Sequence, residues 1–391
     1  MRQSAEVGIV GAGPAGARAA ELLAGQGADV LLLDPKAPWE KPCGGGLTSA
    51  LFDDFPELEQ VKPLARAINR ARVELGPQAG VDVRLDTPIW MIAREALARW
   101  QLDRALEAGA SHEPARVTSI ERRGHGWLLE TDRGALEAFC LIGADGAAST
   151  VRSAVAPALA VELMPTRVAY PPIDGPPPEA LVLRFFHRRV GYLWDFPRLD
   201  HRSVGIEVDA GTWRRPELDG CIDEYHQASA GQATASLTRA GAVIGTAQLG
   251  HGDFSRIAGP GFALLGDAAG FADPFTGEGI RNALRSAQLL AEAWRMGPSD
   301  WTRTYPALAR AAFAREFAVA RLLRRLLSET GAGVRLVESA LASDLSYAIV
   351  VATLGIVSVH DYSLGHFLRR CLRAFSDVRA DPARRGAAAR A

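Results

Sequence analysis

One glycine-rich turn near the amino terminus limits the fold of this chain more than any other feature. The apolar run 7–10 precedes it and a second apolar run ends at Asp34; the turn reads Gly11, Ala12, Gly13, Pro14, Ala15 and Gly16. This order predicts a strand, a helix and a second, parallel strand. Gly11 would permit the tight turn, Gly13 the approach of a pyrophosphate, and Gly16 close packing of helix on strand. The turn predicts a dinucleotide site, with the pyrophosphate on N–H groups at the helix start.

Acidic residues follow three apolar runs, at the strand ends where open α/β sheets bind ligands. Asp34 follows Gly16 by eighteen residues, a distance at which a carboxylate can accept hydrogen bonds from an adenosine ribose. Asp145 and Asp267 each stand beside a glycine after a short apolar run. A long helix is predicted to start near Gly279, and its free N–H groups would favour an anionic ring system. We therefore expect these loops to meet at one ligand.

Charge and cysteine usage exclude several classes of protein. The net charge is -1, so no basic excess is available to attract nucleic acid. The cysteines are widely separated and the histidines lack ligand spacing, which argues against disulfides and a metal site and fits a reducing compartment; the cysteines are Cys43, Cys140, Cys221 and Cys371. No signal peptide or bilayer-spanning run is recognisable. The expected location is cytoplasmic, at most peripheral to a membrane.

A cysteine followed by three glycines forms a second unusual loop. The segment 41–47 reads Lys-Pro-Cys43-Gly44-Gly45-Gly46-Leu, and three consecutive glycines favour neither helix nor strand. Such a loop suits close contact with something planar. Cys43 is either a buried structural cysteine or part of the lining of a cofactor or substrate cavity.

A run of alternating aromatic residues forms the third feature of interest. Tyr192, Trp194 and Phe196 are separated by single residues, so a strand would place all three side chains on one face. Aromatic residues make up only 7% of the chain, so the cluster stands out. Ordinary core packing is one interpretation. We favour the wall of an apolar ligand cavity.

Periodicity places these loops within two interleaved domains, as the length of 391 residues suggests. The segments 52–64 and 91–107 read as helices. The segments 71–75 and 81–85 alternate as antiparallel strands around a turn at Gly76 and Pro77, and 117–120 with 127–130 reads as a hairpin. After residue 300 the pattern is mostly helical, and the end from Asp381 looks disordered. These last helices are either a cap over the core or a basic, apolar face that rests on a membrane.

Together the motifs resemble the two-domain flavoproteins related to p-hydroxybenzoate hydroxylase and, within them, the geranylgeranyl reductase family, over roughly residues 5–300. The resemblance implies an α/β fold: a Rossmann-like FAD-binding domain interleaved with an antiparallel-sheet substrate domain, plus a C-terminal helical region. The implied FAD-binding domain comprises 1–55, 92–155 and 256–300. The substrate domain comprises 56–91 and 156–255, and the helical region 301–391.

The resemblance also implies roles for individual residues. FAD would be held by residues that match the family's motifs: Gly11, Gly13, Pro14, Ala15, Gly16, Asp34, Cys43, Gly44, Gly45, Arg94, Val117, Asp145, Gly146, Gly266, Asp267, Pro274, Gly277, Gly279 and Ile280. The cysteine–glycine loop and the Tyr-x-Trp-x-Phe-Pro run resemble the reductase branch, in which Tyr192, Trp194 and Phe196 would line a cavity for an isoprenoid chain. Cys43 is the candidate for proton donation or for positioning near the flavin.

The implied reaction is reduction of a carbon–carbon double bond by hydride transfer from reduced FAD. No second Gly-x-Gly-x-x-Gly motif is present, so NAD(P)H would bind only transiently, and a ferredoxin-like donor stays open. The main alternative is a flavin monooxygenase acting on an aromatic or specialised metabolite. A flavin halogenase is disfavoured because its tryptophan–isoleucine–proline motif is absent. A non-catalytic isoprenoid or lipid carrier that retains flavin is the alternative from a different class.

Overall fold

A computed structural model describes residues 3–75, 79–186, 191–209, 214–230, 237–247, 253–297, 300–329, 331–340, 342–359 and 362–380. The strands are β1 (Ser4–Val10), β2 (Val30–Leu33), β3 (Gly46–Leu47), β4 (Ala65–Leu75), β5 (Ala79–Ile92), β6 (Ser111–Glu113), β7 (Val117–Arg123), β8 (Gly126–Thr131), β9 (Gly134–Gly143), β10 (Val161–Ala169), β11 (Leu181–Phe185), β12 (Gly191–Pro197), β13 (Arg202–Val208), β14 (Arg239–Ala247), β15 (Ala258–Gly259) and β16 (Phe262–Leu264). The α-helices are α1 (Pro14–Gly25), α2 (Ser49–Asp54), α3 (Arg94–Glu107), α4 (Thr150–Val155), α5 (Arg215–Ala230), α6 (Ile280–Met296), α7 (Trp301–Leu323), α8 (Ala332–Ala340), α9 (Asp344–Ser358) and α10 (Leu364–Ala380). Shorter turns of 3₁₀ helix cover Pro56–Leu64, Phe254–Arg256 and Gly266–Ala269, and Arg324–Glu329 forms a π-helical segment.

The chain forms two compact units, each built from separated segments. The first unit contains Met1–Glu40, Glu95–Met164 and Val243–Ala318, and the second contains Lys41–Arg94, Pro165–Ala242 and Val319–Ala391. Interleaving of two domains was expected, but the compact units do not follow the expected bounds. The segment from Lys41 groups with the second unit, and the residues after 300 divide between the two.

The first unit contains a mainly parallel sheet in the order β15-β16-β9-β1-β2-β6. β1 is parallel to β2 and to β9, with Val7 opposite Val30 and Val10 opposite Leu33. All four residues of β2 are buried, as expected for a strand covered on both faces. The sheet continues from β9 into β8 and β7, so the predicted hairpin is confirmed. The predicted strand–helix–strand unit at the amino terminus is confirmed as well.

The second unit is organised on a mainly antiparallel sheet in the order β14-β10-β13-β12-β11-β4-β5-β3. β4 and β5 form the predicted antiparallel pair, while their expected turn at Gly76 and Pro77 lies outside the described residues. β11 is parallel to β4, which departs from a purely antiparallel sheet. β12 pairs with β11 and β13, and this pairing places Trp194 opposite both Leu183 and Gly205.

Two predicted helices have different limits in the structure. The helix expected from residue 91 begins only at Arg94, because Met91 pairs with Gly46 and the Ile92 N–H donates to the carbonyl of Gly45. The helix expected over 52–64 is divided. α2 ends at Asp54, and a 3₁₀ segment starts at Pro56, where proline favours a new helix start.

The C-terminal region is helical, as predicted. The apolar helix α9 is largely core, because Tyr347, Val350 and Ile356 are buried. Every helix among the described residues is too short or too polar to cross a bilayer. The expected disorder from Asp381 onward concerns residues outside the described ranges.

Candidate functional site

Backbone contacts in the first unit require glycine at two positions of the amino-terminal turn. Gly11 has a φ of +100°, and a Cβ atom there would lie 2.3 Å from the carbonyl oxygen of Ala144. A Cβ atom on Gly16 would lie 1.8 Å from the carbonyl oxygen of Gly11. Gly16 therefore lets α1 pack against the turn itself rather than only against the strand. Side chains at either position would displace backbone that the sheet holds in place.

Gly13 differs from its two neighbours in the motif because it faces open space. A Cβ atom there would meet no heavy atom within 4 Å. Gly13 is the N-cap of α1 without a side-chain cap, and Pro14 occupies the first turn, where its missing N–H costs nothing. The free N–H groups at this end are available to an anion. This opening fits the pyrophosphate of a dinucleotide.

The carboxylate of Asp34 ties the second strand to the same turn. One oxygen accepts a hydrogen bond from the N–H of Ala12 at 2.9 Å. The other accepts from the N–H groups of Lys36 at 2.8 Å and Ala37 at 3.3 Å. A carboxylate has about four acceptor positions, so about one is left for a ribose hydroxyl. Asp34 therefore stabilises the turn, in addition to its predicted role in binding the ribose.

The Asp145 carboxylate caps a helix. It accepts hydrogen bonds from the N–H groups of Thr150 at 2.7 Å and Val151 at 3.1 Å, and from the hydroxyl of Ser149. Burial raises the pKa of the Asp145 carboxyl, and these hydrogen bonds offset part of the rise. Gly146 follows with a φ of +80°, and a Cβ atom there would meet no heavy atom within 4 Å. The Asp145 carboxylate thus stabilises the start of α4. A direct contact between Asp145 and FAD stays a prediction.

Arg152 joins this turn to the second glycine–aspartate loop, a link that was not predicted from the sequence. Its guanidinium donates to the carbonyl of Ala147 at 2.6 Å and to that of Ala268 at 3.0 Å. The sequence prediction rested on glycines and acids alone, although an arginine two turns after Asp145 could have been noticed.

The Gly266–Asp267 loop contacts two helix starts. Gly266 has a φ of +52°, and a Cβ atom there would lie 3.2 Å from Ala15 on α1 and 3.3 Å from Ala283 on α6. A Cβ atom on Gly279 would lie 3.0 Å from a carboxylate oxygen of Asp267. α6 begins at Ile280 without a side-chain cap. The structure thus brings the glycine turn, Asp145, the Gly266–Asp267 loop and the start of α6 into one contiguous region of the first unit.

The fully buried Asp273 organises the loop before α6, and no role was predicted for it from the sequence. Its carboxylate accepts hydrogen bonds from the N–H of Phe275 at 2.9 Å and from the N–H and hydroxyl of Thr276 at 2.8 and 3.1 Å. Its carbonyl accepts from the N–H of Gly277 at 3.0 Å. Pro274 lies within this turn. The carboxylate of Asp273 therefore stabilises the conformation of the loop that is predicted to border the flavin ring.

Two further predicted FAD contacts are Arg94 and Val117. Val117 is the first residue of β7 and is buried. Arg94, at the start of α3 and the end of a second-unit segment, is 6% exposed. Its Nε atom is buried and has no hydrogen-bond partner among the residues that the structure describes. A buried guanidinium with an unmet donor fits a contact to an anionic ligand.

In the second unit, the cysteine–glycine loop (Cys43–Gly45) packs directly against the aromatic row (Tyr192, Trp194 and Phe196). A Cβ atom on Gly44 would lie 2.5 Å from the Phe196 ring and 3.5 Å from Trp194 Nε1. Neighbouring rings of the row have centroids 6.1 and 6.4 Å apart, which confirms that the three side chains share one face of β12. Gly45 has a φ of +77°, and the N–H of Gly45 donates to the half-buried Cys43 thiol at 3.4 Å.

Two residues that the sequence did not single out hold this loop in place. Arg198 is 1% exposed and donates to the carbonyl of Cys43 at 2.8 Å and to that of Gly44 at 3.4 Å. The hydroxyl of Ser203 donates to the carbonyl of Cys43 at 3.0 Å and accepts from Trp194 Nε1 at 3.2 Å. Arg198 directly follows the Tyr-x-Trp-x-Phe-Pro run, and this position was the one sequence signal that pointed to it.

The opposite face of β12 carries a polar network. Asp195 accepts hydrogen bonds from the guanidinium of Arg202 and from the hydroxyl of Tyr225, the latter at 2.9 Å. Burial by itself lowers the pKa of Arg202, but its bonds and proximity to Asp195 raise it overall. β12 thus presents Asp195 on one face and the aromatic row on the other.

The first unit offers the features that an FAD molecule needs. Gly13 leaves open space at an uncapped helix start, Asp34 retains acceptor capacity, and the start of α6 has free N–H groups. These residues fit the cofactor that the sequence predicts. In the second unit, Arg94 separately offers a buried donor without a partner among the described residues.

Known proteins place the chain in a family. A profile described as FAD binding domain matches residues 4–52. The menaquinone reductase of Mycobacterium tuberculosis (strain ATCC 25618 / H37Rv) is 31% identical over 364 residues, which cover 83% of this chain and 84% of the relative. The geranylgeranyl diphosphate reductase of Rhodobacter capsulatus is 30% identical over 340 residues, which cover 82% and 83%.

Solved structures agree on the fold. A geranylgeranyl bacteriochlorophyll reductase-like protein from Thermoplasma acidophilum superposes with a TM-score of 0.74 at 18% identity, over 97% of this chain and 99% of that protein. The flavin-dependent brominase Bmp2 superposes with a TM-score of 0.69 at 16% identity, over 96% and 100%. The fold is thus shared by flavoenzymes of different chemistry. From its sequence relatives, the chain belongs to the geranylgeranyl reductase family of FAD-dependent oxidoreductases.

Proposed function

We propose that this enzyme reduces carbon–carbon double bonds in the isoprenoid chain of an apolar substrate. The observation that carries the proposal is the packing of the aromatic row against the cysteine–glycine loop. Gly44 has no room for a side chain because the Phe196 ring occupies that space, and Trp194 is 3% exposed beside it. We infer that this arrangement forms one apolar wall of the substrate cavity, beside the loop that carries the Cys43 thiol.

The substrate class follows from what such a wall can recognise. An isoprenoid double bond has no polar group at its reacting carbons, so binding rests on buried apolar area, at about 25 cal/mol per Å². The relatives are named for menaquinone and for geranylgeranyl diphosphate, molecules that share a polyisoprenoid chain and differ in the head group. The wall accounts for recognition of the shared part, and substrates with different head groups are compared in the assay below.

Bound FAD supplies the hydride chemistry. The chain would hold the pyrophosphate at Gly13 and the start of α1, and the ribose at Asp34. The free N–H groups at the start of α6 would favour negative charge on the ring system. NAD(P)H is the proposed reductant, bound transiently.

Cys43 is the proposed source or positioner of the second hydrogen, which reaches the substrate as a proton. Its thiol accepts a hydrogen bond from the Gly45 N–H, and its carbonyl is fixed by Arg198 and Ser203. Backbone restraint on both sides gives the thiol a defined position, which a proton donor requires.

Anaerobic reoxidation tests the proposal. The FAD-loaded enzyme is photoreduced without oxygen, and geranylgeranyl diphosphate or a polyprenyl quinol is added; the quinol is used because a quinone ring would itself reoxidise the flavin. Flavin absorbance and product mass are followed. We expect reoxidation by the alkene and a product that has gained two hydrogens. Reoxidation only by oxygen, with a hydroxylated product, would replace the proposal with a monooxygenase. A flavin that no alkene and no oxygen reoxidises would indicate a carrier.

A further inference from the structure

The last helix of the described chain exposes a row of leucines. Leu364, Leu368 and Leu372 are 70%, 50% and 68% exposed, and their four-residue spacing places them in an 80° sector of α10. Six of the twelve large apolar side chains that are exposed among the described residues lie between 322 and 372. Exposed apolar residues normally occur singly, so a continuous row needs an explanation.

Contacts within the second unit fix the orientation of α10. Ala374 and Val378 are buried, and Cys371 Sγ lies 3.8 Å from the carbonyl oxygen of Ala348 on α9. Arg370 forms an ion pair of 3.0 Å with Asp86 on β5. The helix is therefore attached by a different side from the one that carries the leucines.

Charge beside the leucines indicates what covers them. α10 contains four arginines and one acidic residue, Asp377. Arg369 and Arg373 are exposed and follow Leu368 and Leu372 directly, so a basic row runs along the leucine row. Two copies of this face would bring like charges together, which disfavours self-association. Apolar and basic rows side by side on one helix suit an anionic lipid surface.

We propose that α10 docks the enzyme on the surface of a bilayer containing anionic lipids, with the leucines in the acyl boundary and Arg369 and Arg373 among the headgroups. A membrane face in the C-terminal helices was one of two interpretations of the sequence. The structure excludes α9 from that role, because Tyr347, Val350 and Ile356 are buried. The proposal is independent of the substrate.

Vesicle sedimentation of the FAD-loaded full-length enzyme tests the proposal. We expect binding to phosphatidylcholine vesicles that contain phosphatidylglycerol, weaker binding to phosphatidylcholine alone, and release by salt. The double variant R369E/R373E should bind at least roughly 30-fold more weakly, because each arginine near an anionic surface contributes about five-fold. The triple variant L364Q/L368Q/L372Q should lose binding.

A matched control separates this face from general surface apolarity. The triple variant L64Q/L106Q/L163Q changes three other exposed leucines and should bind vesicles like the wild type. Flavin content and circular dichroism verify that each variant is folded. Failure of the wild type to bind anionic vesicles at low salt would overturn the proposal. Equal binding by the α10 triple variant, or dimerisation that depends on these leucines in light scattering, would overturn it too.

Discussion

Two glycine loops, one in each unit, have no room for side chains, but for different reasons. In the amino-terminal turn, side chains at Gly11 and Gly16 would meet backbone carbonyl oxygens at 2.3 and 1.8 Å. In the cysteine–glycine loop, a side chain at Gly44 would meet the ring of Phe196 at 2.5 Å, while Gly45 alone meets a backbone oxygen. Contacts with backbone atoms determine the shape of the first loop, so this shape does not depend on which substrate the enzyme uses. Contacts with aromatic side chains determine the shape of the second loop, and these side chains are the ones predicted to bind the substrate.

This difference predicts that the two loops can be damaged separately. Changes in the first should abolish cofactor binding or folding, and changes in the second should spare the flavin and impair turnover. The following variants are ordered from the largest expected effect to the smallest.

Gly16→Ala should give a protein that is unfolded or free of flavin. Its Cβ atom would lie 1.8 Å from the Gly11 carbonyl oxygen, and we expect a loss of at least about 3 kcal/mol in unfolding free energy. Flavin content and thermal denaturation measure this. Gly13→Ala is the control: its apo form should be as stable as the wild type, while FAD affinity falls roughly 10-fold or more. A yellow, stable Gly16→Ala protein would contradict the backbone argument.

Cys43→Ala should retain FAD and lose turnover by roughly 100-fold, the usual contribution of a general acid. Steady-state rates and flavin titration separate the two effects. Cys221→Ala, which removes another half-buried thiol in the second unit, should behave like the wild type. Unchanged turnover in Cys43→Ala would remove the thiol from the mechanism.

Arg198→Met should destabilise the second unit by about 2–3 kcal/mol and slow turnover, with FAD affinity unchanged. The variant loses charge-assisted bonds to the carbonyl oxygens of Cys43 and Gly44. Arg167→Met removes a partly buried ion pair with Asp219 in the same unit and should cost stability without slowing the reaction. If turnover slowed equally in both variants, the role of Arg198 would be purely structural.

Trp194→Phe should cost about 2 kcal/mol, because the hydrogen bond to Ser203 and part of a buried ring are lost. Chemical denaturation measures the stability, and KM for the apolar substrate should rise modestly. The matched change Trp127→Phe removes one bond to the carbonyl of Gly261 in the first unit. It should match the stability loss and leave KM unchanged. A raised KM in both would show that the effect is not local.

The first loop could be predicted almost completely from the sequence. Its motif is continuous from Gly11 to Gly16, and Asp34 follows at a fixed distance, so local pattern carries the geometry. The strand–helix–strand order, the hairpin of β7 with β8 and the shared face of the aromatic row were predicted for the same reason.

The support of the second loop was not predicted, because it depends on residues distant in the chain, although Arg198 stands directly after the Tyr-x-Trp-x-Phe-Pro run. Arg198 lies 155 positions from Cys43, and Ser203 lies 160 positions away. Asp273 was missed for another reason: a buried carboxylate that serves its own turn has the same sequence appearance as a ligand-binding one. The start of α3 was misplaced because pairing of Met91 with Gly46 overrides helical periodicity.

The most direct test of the division between the loops measures Phe196→Ala in two assays. Loss of one partly buried aromatic ring removes about 1.5 kcal/mol of apolar contact, so anaerobic reoxidation by a polyprenyl substrate should slow roughly 10-fold. The dissociation constant of FAD should equal that of the wild type. A variant that loses FAD affinity together with reoxidation, or that keeps both at wild-type levels, would contradict the account.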